Sequence, residues 1–169
     1  MPASKPSENL VELAKEVHDL RKEVVRLRDL EEIRRLVLDF AYAIDRADFA
    51  AASRMYEHST FEIWGRVITG RDEVREFLES TVRLYEDGTP KTLHATGSIV
   101  VDLDPSGVTA TATSCTVVFQ AVEGFPLQPI AHTRYIERFE KAEGGWGRTR
   151  HIHERLLAGD ASHHVIGRA

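Results

Sequence analysis

The sequence has little of what marks secreted, disulfide-linked or membrane-spanning proteins. Its 169 residues include one cysteine, so no disulfide can form within the chain. Cys115 lies in an alternating strand pattern, and we interpret it as a packing residue. No apolar run is long enough to span a bilayer, and the first ten residues, MPASKPSENL, lack the apolar core of a signal peptide. We therefore expect a cytoplasmic protein with no membrane partner.

The sequence also lacks a dense block of lysine and arginine outside its N-terminal helical segment. It has 27 acidic and 22 basic residues, a net charge of -5 and a pI of about 5.9. A surface with this balance is not built to neutralise phosphates, so no nucleic acid partner is expected. The chain is 42% hydrophobic, which at this length is enough for one sizeable core and predicts a single globular domain.

The stretch from residue 30 to residue 56 organises the rest of the chain. Its apolar residues recur at helical spacing and form one stripe, which comprises Leu30, Ile33, Val37, Phe40 and Ile44. Asp45 lies at the flank of this stripe, an unusual place for a charge, and is therefore a candidate functional residue. In the alternative interpretation, Asp45 and Asp48 only end this helix and start the next one, where Asp is a favoured N-cap residue.

The N-terminal segment differs from the rest of the chain. Residues 1–9 are rich in Pro and Ser and are expected to be disordered. Residues 10–28, the leader, follow a heptad pattern with Val and Leu in the combination that favours two parallel strands. Its a and d positions are Leu10, Leu13, Val17, Leu20, Val24 and Leu27. Three heptads are too short for a stable isolated helix, so the leader must pack on a partner or on its own domain.

Charges beside the heptad seam indicate which partner the leader takes. In a parallel pair, Glu16 and Glu23 at g positions would face Arg21 and Arg28 at e positions of the second copy. An antiparallel pair would not match acid with base. We therefore expect a homo-oligomer, with a dimer favoured and a trimer as the alternative.

The remaining sequence predicts an α+β fold in residues 29–169. Helical spacing covers residues 48–58 and 71–87, and two short strands fall within residues 59–70. Four long strands are predicted over residues 93–103, 108–122, 130–141 and 146–157, and residues 123–129 are expected to form a loop. Helices followed by long antiparallel strands predict helices packed on one face of a curved sheet.

A resemblance becomes visible in the order of several short motifs. The chain contains YAIDRAD, GRDEV, TLHATGSIVVD, HTRYIERFEKAEGGW and GDASHH in that sequence. This order resembles the SnoaL-like proteins of the nuclear transport factor 2 superfamily over residues 30–164, with the leader outside the match. The resemblance implies a conical α+β barrel in which three helices close a strongly curved, mostly antiparallel sheet around a deep pocket. The family includes dehydratases, a dehydrochlorinase and polyketide cyclases, so the fold alone does not fix the activity.

The resemblance assigns a role to Asp45. In the scytalone dehydratase and dehydrochlorinase branches, an aspartate at the end of the first barrel helix pairs with a histidine after the third helix. Asp45 and His94 match these positions. A carboxylate bonded to one imidazole nitrogen fixes the tautomer that leaves the other nitrogen free to take a proton. In the alternative interpretation, His94 is a hydrogen-bonded core histidine without a catalytic role.

Two positions depart from the dehydrochlorinase pattern. Where that enzyme has a lysine and an arginine, this chain has Phe40 and His151. Halide loss is therefore not expected, and proton removal next to a carbonyl or an aromatic system, with loss of water or a shift of a double bond, fits better. We rank His151 first as the donor to the oxygen of the substrate. The other candidate substrate-binding residues are Tyr42, Tyr56, Trp64 and His132.

The expected activity is that of a lyase or isomerase that needs no cofactor and acts on a small, apolar, cyclic substrate. A metal-binding alternative uses His151 and His153, which share a strand face and would need a third ligand. A second alternative is a ligand-binding or interaction module that keeps the pocket without the chemistry. His163 and His164 are expected to form a solvated tail or a lid over the pocket mouth.

Overall fold

The computed structural model describes residues 6–167, with side chains from Asn9 onward, and this part of the chain forms three helices and six strands. The helices are α1 (Pro6–Asp45), α2 (Phe49–Arg54) and α3 (Gly70–Thr81). The strands are β1 (Thr60–Ile63), β2 (Arg66–Thr69), β3 (Thr92–Leu103), β4 (Thr109–Val122), β5 (Phe125–Ala142) and β6 (Gly145–Ala158). Disorder was expected for residues 1–9, of which residues 1–5 lie outside the described residues and residues 6–9 belong to helix α1.

The six strands form one curled sheet in the order β2-β1-β6-β5-β4-β3. Neighbouring strands are antiparallel except β1 and β6, which run parallel. The long strands shift register at several points, one of them between Gly97 and Val100 in β3, and such bulges bend a sheet. The predicted α+β fold is confirmed.

Helix α1 joins the leader and the first barrel helix into one element of 40 residues. The sequence between residues 7 and 45 contains neither Gly nor Pro, so nothing in it ends the helix earlier. Asp29 marks the point where the helix meets the barrel: its carboxylate accepts hydrogen bonds from Lys141 Nζ at 2.5 Å and Trp146 Nε1 at 3.0 Å. Every residue from 9 to 28 is exposed, whereas Asp29 and Leu30 are buried.

Three predicted boundaries differ from the structure. The helix predicted over residues 48–58 ends at Arg54 and is followed by turns. Helix α3 ends at Thr81 instead of extending to residue 87, because Val82 turns to an extended conformation and pairs with Val165 near the C-terminus. The expected loop over residues 123–129 is mostly strand. A tight turn at residues 123 and 124, with Gly124 at a φ of 73°, starts β5 at Phe125. Pro126 and Pro129 lie near irregularities of the β4–β5 register, where a strand tolerates proline.

The core lies between the helices and one face of the sheet. Its largest cluster joins the end of α1 to α2, α3 and the β1–β2 hairpin through residues such as Phe40, Ile44, Phe61 and Phe77. A second cluster packs Ile33 and Val37 of α1 against β4, β5 and the start of β6. Among the described residues, no helix is both long and apolar enough to cross a membrane.

Candidate active site

Asp45 and His94 meet at the point where the last turn of α1 packs against β3. The Nδ1 atom of His94 lies 2.5 Å from Asp45 Oδ1, and the backbone amide of His94 donates to Asp45 Oδ2 at 2.8 Å. The hydroxyl of Thr92 donates to Asp45 Oδ1 at 2.9 Å. The side chains of His94 and Asp45 are only 8% and 14% exposed. Three donors therefore fix the position of one largely buried carboxylate.

The hydrogen bonds around Asp45 keep it ionised. Burial by itself would raise the pKa of Asp45, but the bonds from His94 and Thr92 outweigh it, so the pKa lies below its ordinary value. The N–H group at Nδ1 of His94 donates a hydrogen bond to the ionised carboxylate. The other ring nitrogen, Nε2, is therefore the one that can reach a ligand. This arrangement suits a base that takes a proton and is stabilised as an imidazolium.

His94 lines a cavity of about 100 Å³ between the helices and the sheet. Most of its wall is apolar and includes Phe40, Ile44, Phe61, Ile63, Phe77 and Leu78. The side chains on the wall that carry polar atoms are Trp64, Thr81, His94, Tyr135, His153, Arg155 and His164. A cavity of this size and composition accommodates a ligand no larger than about one ring, oriented by a few polar contacts.

Trp64 was predicted to bind substrate, and it lines this cavity. It occupies the first position of the two-residue turn between β1 and β2, with a φ of 53°, and Gly65 follows at 75°. A left-handed backbone is unfavourable for a bulky side chain, and such strain clusters at ligand sites. The indole ring packs edge-on against Phe77, with ring centroids 5.8 Å apart. The turn therefore holds a large flat side chain against the cavity.

Tyr42 and His132, also predicted to bind substrate, do not reach the cavity. Tyr42 is 55% exposed and lies beneath Arg46 on the outer side of α1. His132 alternates along β5 with the buried residues Thr133 and Tyr135, so it lies on the opposite face of the sheet. Tyr42 was chosen because it lies near Asp45 on the same helix, and His132 because it lies on a late strand. Neither prediction determined which side of the helix or which face of the sheet the ring occupies.

Tyr56 and His151 lie inside the protein but not at the cavity wall. The Tyr56 hydroxyl bonds to Nδ1 of His151, and both residues are fully buried. Rings of Phe40, Phe61 and Tyr135 surround the imidazole, with centroids between 4.7 and 5.1 Å away. Burial and the charge of Arg148 hold the pKa of His151 well below its ordinary value. The structure therefore does not bring His151, our first-ranked donor, to the cavity wall.

A buried ion pair beside His151 was not predicted from the sequence. Arg148 on β6 contacts Glu137 on β5, with 2.6 Å between Nη2 and Oε1, and Nη2 also donates to the carbonyl of Leu36 in α1. Both side chains are at most 2% exposed. We call Tyr56, Glu137, Arg148 and His151 the sealed cluster, because none of them lines the cavity. An Arg and a Glu eleven residues apart give no sign in the sequence that they pair inside a barrel.

Two cavity histidines were also not proposed as catalytic or substrate-binding residues. His153 lies two residues beyond His151 on β6, and the same alternation that buries His151 brings His153 to the cavity. His164 belongs to the C-terminal segment, which packs on the end of α3 through bonds from Arg83 N to His164 O and from Ile166 N to Thr81 O. This segment forms part of the cavity wall, as the lid alternative expected. We call Asp45, His94, His153 and His164 the cavity cluster.

The metal-binding alternative finds no support in the geometry. Within residues 6–167, no group of three or more His, Cys, Asp or Glu side chains is arranged to hold a metal ion. His151 and His153 share a strand face, but the first is enclosed by aromatic rings and the second lines the cavity.

The fold and the cavity define a barrel of the nuclear transport factor 2-like class. The profile of the SnoaL-like domain matches residues 25–166. The chain therefore belongs to the SnoaL-like family, and the resemblance seen in the sequence is confirmed. A comparison with curated proteins finds no match.

Solved structures with the same fold are similar over most of this chain. A nuclear transport factor 2-like protein with a cystatin-like fold from Novosphingobium aromaticivorans is 24% identical, with a TM-score of 0.70, over 86% of this chain and 92% of its own. A provisionally named scytalone dehydratase from the same organism is 19% identical, with a TM-score of 0.63, over 87% and 99%. LinA is 15% identical, with a TM-score of 0.66, over 80% and 90%. Identities of this size show a shared fold.

Proposed function

We propose that this protein is a cofactor-independent lyase or isomerase in which His94 removes a proton from a small, apolar, cyclic substrate. The observation that carries the proposal is the contact of 2.5 Å between His94 Nδ1 and Asp45 Oδ1 at the edge of a mostly apolar cavity. Asp45 orients the imidazole and stabilises the cation that forms when Nε2 takes the proton. The name scytalone dehydratase, given provisionally to one structural neighbour, agrees with a lyase.

The low polarity of the cavity strengthens the proposal. A charge that forms among apolar side chains is poorly screened, so a fixed carboxylate stabilises an imidazolium there more than it would in water. General base catalysis by a positioned side chain contributes about 10²–10⁴-fold to a rate. The cavity volume limits the substrate to about one ring, provided that the C-terminal segment keeps its position.

A search for ligands among single-ring ketones, phenols and lactones tests this function. Compounds that bind the native state raise the melting temperature, and each such compound is then followed by NMR for chemical change. The expected result is turnover by the wild-type protein and none by His94→Ala with an unchanged melting temperature. Compounds that stabilise the protein but never react would instead support the ligand-binding module.

We further propose that two copies associate in parallel through the leader. All six a and d side chains are between 39% and 67% exposed on a helix that projects beyond the barrel. Burying such a side chain is worth roughly 1.5–3 kcal/mol before entropic costs, so the seam favours a partner. The charge pattern at Glu16, Arg21, Glu23 and Arg28 matches a second parallel copy.

Light scattering on the full chain and on a truncated chain that starts at Asp29 tests this association. We expect a dimer for the full chain and a monomer after truncation. A matched pair of variants tests the register: Glu16→Arg with Glu23→Arg should weaken the dimer, and adding Arg21→Glu with Arg28→Glu should restore it. A monomeric full chain, or an oligomer that survives truncation, would contradict the leader as the assembly device.

A further inference from the structure

Three imidazoles surround one cavity, but only one of them has a carboxylate partner. His94, His153 and His164 all line the cavity, and Asp45 bonds to His94 alone. Because the ionised carboxylate stabilises a cation next to it, His94 is the imidazole that is best placed to take a proton from a substrate. The other two imidazoles are therefore free for a different task.

His153 and His164 are neutral at ordinary pH. Burial lowers the pKa of each to about 4, and a positive charge on nearby His94 lowers both further. If they were cations, they would oppose the charge that forms on His94 when it acts as a base. As neutral rings they impose no such penalty, and each still offers one N–H donor.

Each of these two rings has an unused nitrogen. The Nδ1 atoms of His153 and His164 are buried and have no hydrogen-bond partner among the described residues. The other nitrogen of His153, Nε2, lies 3.3 Å from the hydroxyl of Thr133. If that hydroxyl donates to Nε2, the ring proton resides on Nδ1. Buried polar atoms without a partner are rare in proteins, and at a cavity wall they point to a ligand atom that completes them.

We propose that His153 donates a hydrogen bond from Nδ1 to the carbonyl oxygen of the substrate, and that His164 on the C-terminal segment assists it. This inference rests on the function proposed above and deepens it, because it makes the substrate a single-ring ketone or related carbonyl compound with a hydrogen on the adjacent carbon. It also transfers to His153 the donor role that the sequence suggested for His151.

The reaction that follows is an enolisation. Nε2 of His94 takes the proton from the carbon beside the carbonyl, the C–H electron pair forms a C=C bond, and the C=O π pair moves to oxygen. The oxygen anion accepts the hydrogen bond from His153, which keeps its own proton. The imidazolium of His94 then returns a proton to the same or a conjugated carbon, so that atoms and charge balance. A neutral imidazole is an effective donor to an enolate because it need not give up its proton.

This role separates enolisation from simple loss of water from an alcohol. A departing hydroxide must receive a full proton, and a neutral imidazole with a pKa near 4 in its cationic form is rarely protonated at neutral pH. An enolate needs only a hydrogen bond. The same two histidines would therefore serve a carbonyl substrate well and a plain alcohol poorly.

Two probes of nearly equal shape test the donor without knowledge of the natural substrate. Cyclohexanone and methylenecyclohexane differ only in that C=O replaces C=CH₂. NMR titration of the wild-type protein should show tighter binding of cyclohexanone, by about fivefold for one hydrogen bond. His153→Phe should abolish that preference, His153→Gln should retain part of it, and His58→Phe, the same ring exchange at an exposed position outside the cavity, should not change it.

Deuterium exchange tests the chemistry on the same probe. In D₂O the wild-type protein should speed exchange of the hydrogens beside the carbonyl of cyclohexanone, and His94→Ala should not. His153→Phe should lower the exchange rate by about 10²–10³-fold, the usual loss for one donor to an oxyanion, and His153→Gln should recover part of it. Circular dichroism and melting temperature confirm that each variant is folded.

The outcomes distinguish the inference from the function on which it rests. Exchange that is equally fast in wild-type protein and folded His153→Phe would overturn the role of His153 and leave His94 as the base. A preference for cyclohexanone that depends on His153, without any exchange in the wild-type protein, would support the donor and overturn the proton abstraction. Equal binding of the two probes by the wild-type protein would overturn the donor.

Discussion

The barrel holds two groups of buried polar residues that differ in what they contact. In the sealed cluster, Arg148 is bonded to Glu137 and to the carbonyl of Leu36, and the rings of Phe40, Tyr56 and Phe139 lie around its guanidinium. Among the described residues, both clusters keep buried atoms without a hydrogen-bond partner: Glu137 Oε2 and His151 Nε2 in the sealed cluster, and the Nδ1 atoms of His153 and His164 in the cavity cluster. Only His153 and His164 lie beside an open space. The first arrangement ties α1 to β5 and β6, whereas the second leaves groups free to meet a ligand.

The comparison shows that burial alone does not identify a functional residue. His151 is more deeply buried than His153 and burial holds its pKa well below the ordinary value, yet aromatic rings enclose it on several sides. His153 lies two residues away and reaches the cavity. Perturbed pKa values mark both structural and functional groups, and access to a cavity separates them. Substitutions in the two clusters should therefore affect different quantities.

The largest expected effect is on catalysis in the cavity cluster. Asp45→Asn should lower the rate of proton abstraction by about 10⁴-fold, because an amide favours the wrong tautomer of His94. The melting temperature should change far less than the rate. Exchange of the hydrogens of cyclohexanone or turnover of a screened ligand measures the rate. Asp48→Asn makes the same change three residues later, at the N-cap of α2, and should leave the rate unchanged; equal rates in all three proteins would contradict the base assignment.

The next effect is on stability in the sealed cluster. Arg148→Met should lower the free energy of unfolding by about 3–5 kcal/mol, because it leaves Glu137 buried without its cation. Urea denaturation measures this change. The double variant Arg148→Met with Glu137→Leu removes both charges and should regain most of the loss. If the double variant is as unstable as the single one, the cost arises from packing and not from the unpaired carboxylate.

A smaller effect is the pH dependence of stability that His153 of the cavity cluster contributes. His153 has a pKa of about 4 in the folded protein and about 6.5 when unfolded, so between these values the unfolded chain binds more protons. Its contribution to stability is complete above pH 6.5 and is lost as the pH falls toward 4. His153→Gln should therefore lose less stability than wild type over this range, by roughly 2 kcal/mol. Urea denaturation at pH 7 and 4.5 measures the difference, and parallel losses would contradict the assignment.

The smallest effect is expected at the hydrogen bond inside the sealed cluster. Tyr56→Phe removes the partner of His151 Nδ1 and should lower the free energy of unfolding by about 1–3 kcal/mol. The rate of proton abstraction should stay near that of the wild type, since neither ring lines the cavity. If the rate falls by more than tenfold with only a small loss of stability, Tyr56 and His151 contribute to catalysis and not only to the stability of the fold.

The sequence predicted the fold and the Asp45–His94 pair because both follow from local pattern and motif order. Helical spacing placed Asp45 at the flank of a buried stripe, and the family resemblance supplied its partner on a distant strand. The same spacing places Tyr42 on the side of the helix opposite the stripe, and there the structure finds it exposed. Periodicity alone was therefore enough to place Tyr42 away from the buried stripe.

The depth of a side chain inside the barrel could not be predicted from local pattern or motif order. Alternation shows that His151 and His153 share a face of β6, but the distance of each from the cavity depends on how the sheet curls and on the aromatic rings that α1 and β1 bring to it. His164 lies beyond the last strand, and its position depends on the pairing of Val165 with Val82, which no local pattern signals. Contacts between distant segments determined these outcomes.

Helix α1 fixes the rotational relation between the leader and the barrel. At 100° per residue, the leader stripe and the stripe that faces the sheet point about 150° apart around the helix axis. The helix has no Gly or Pro between them at which it could turn. A second copy seated on the leader would therefore approach the side of α1 that faces away from its own sheet. The two barrels would lie on the outside of the pair, and one residue inserted at the junction would swing each barrel by about 100° relative to the seam.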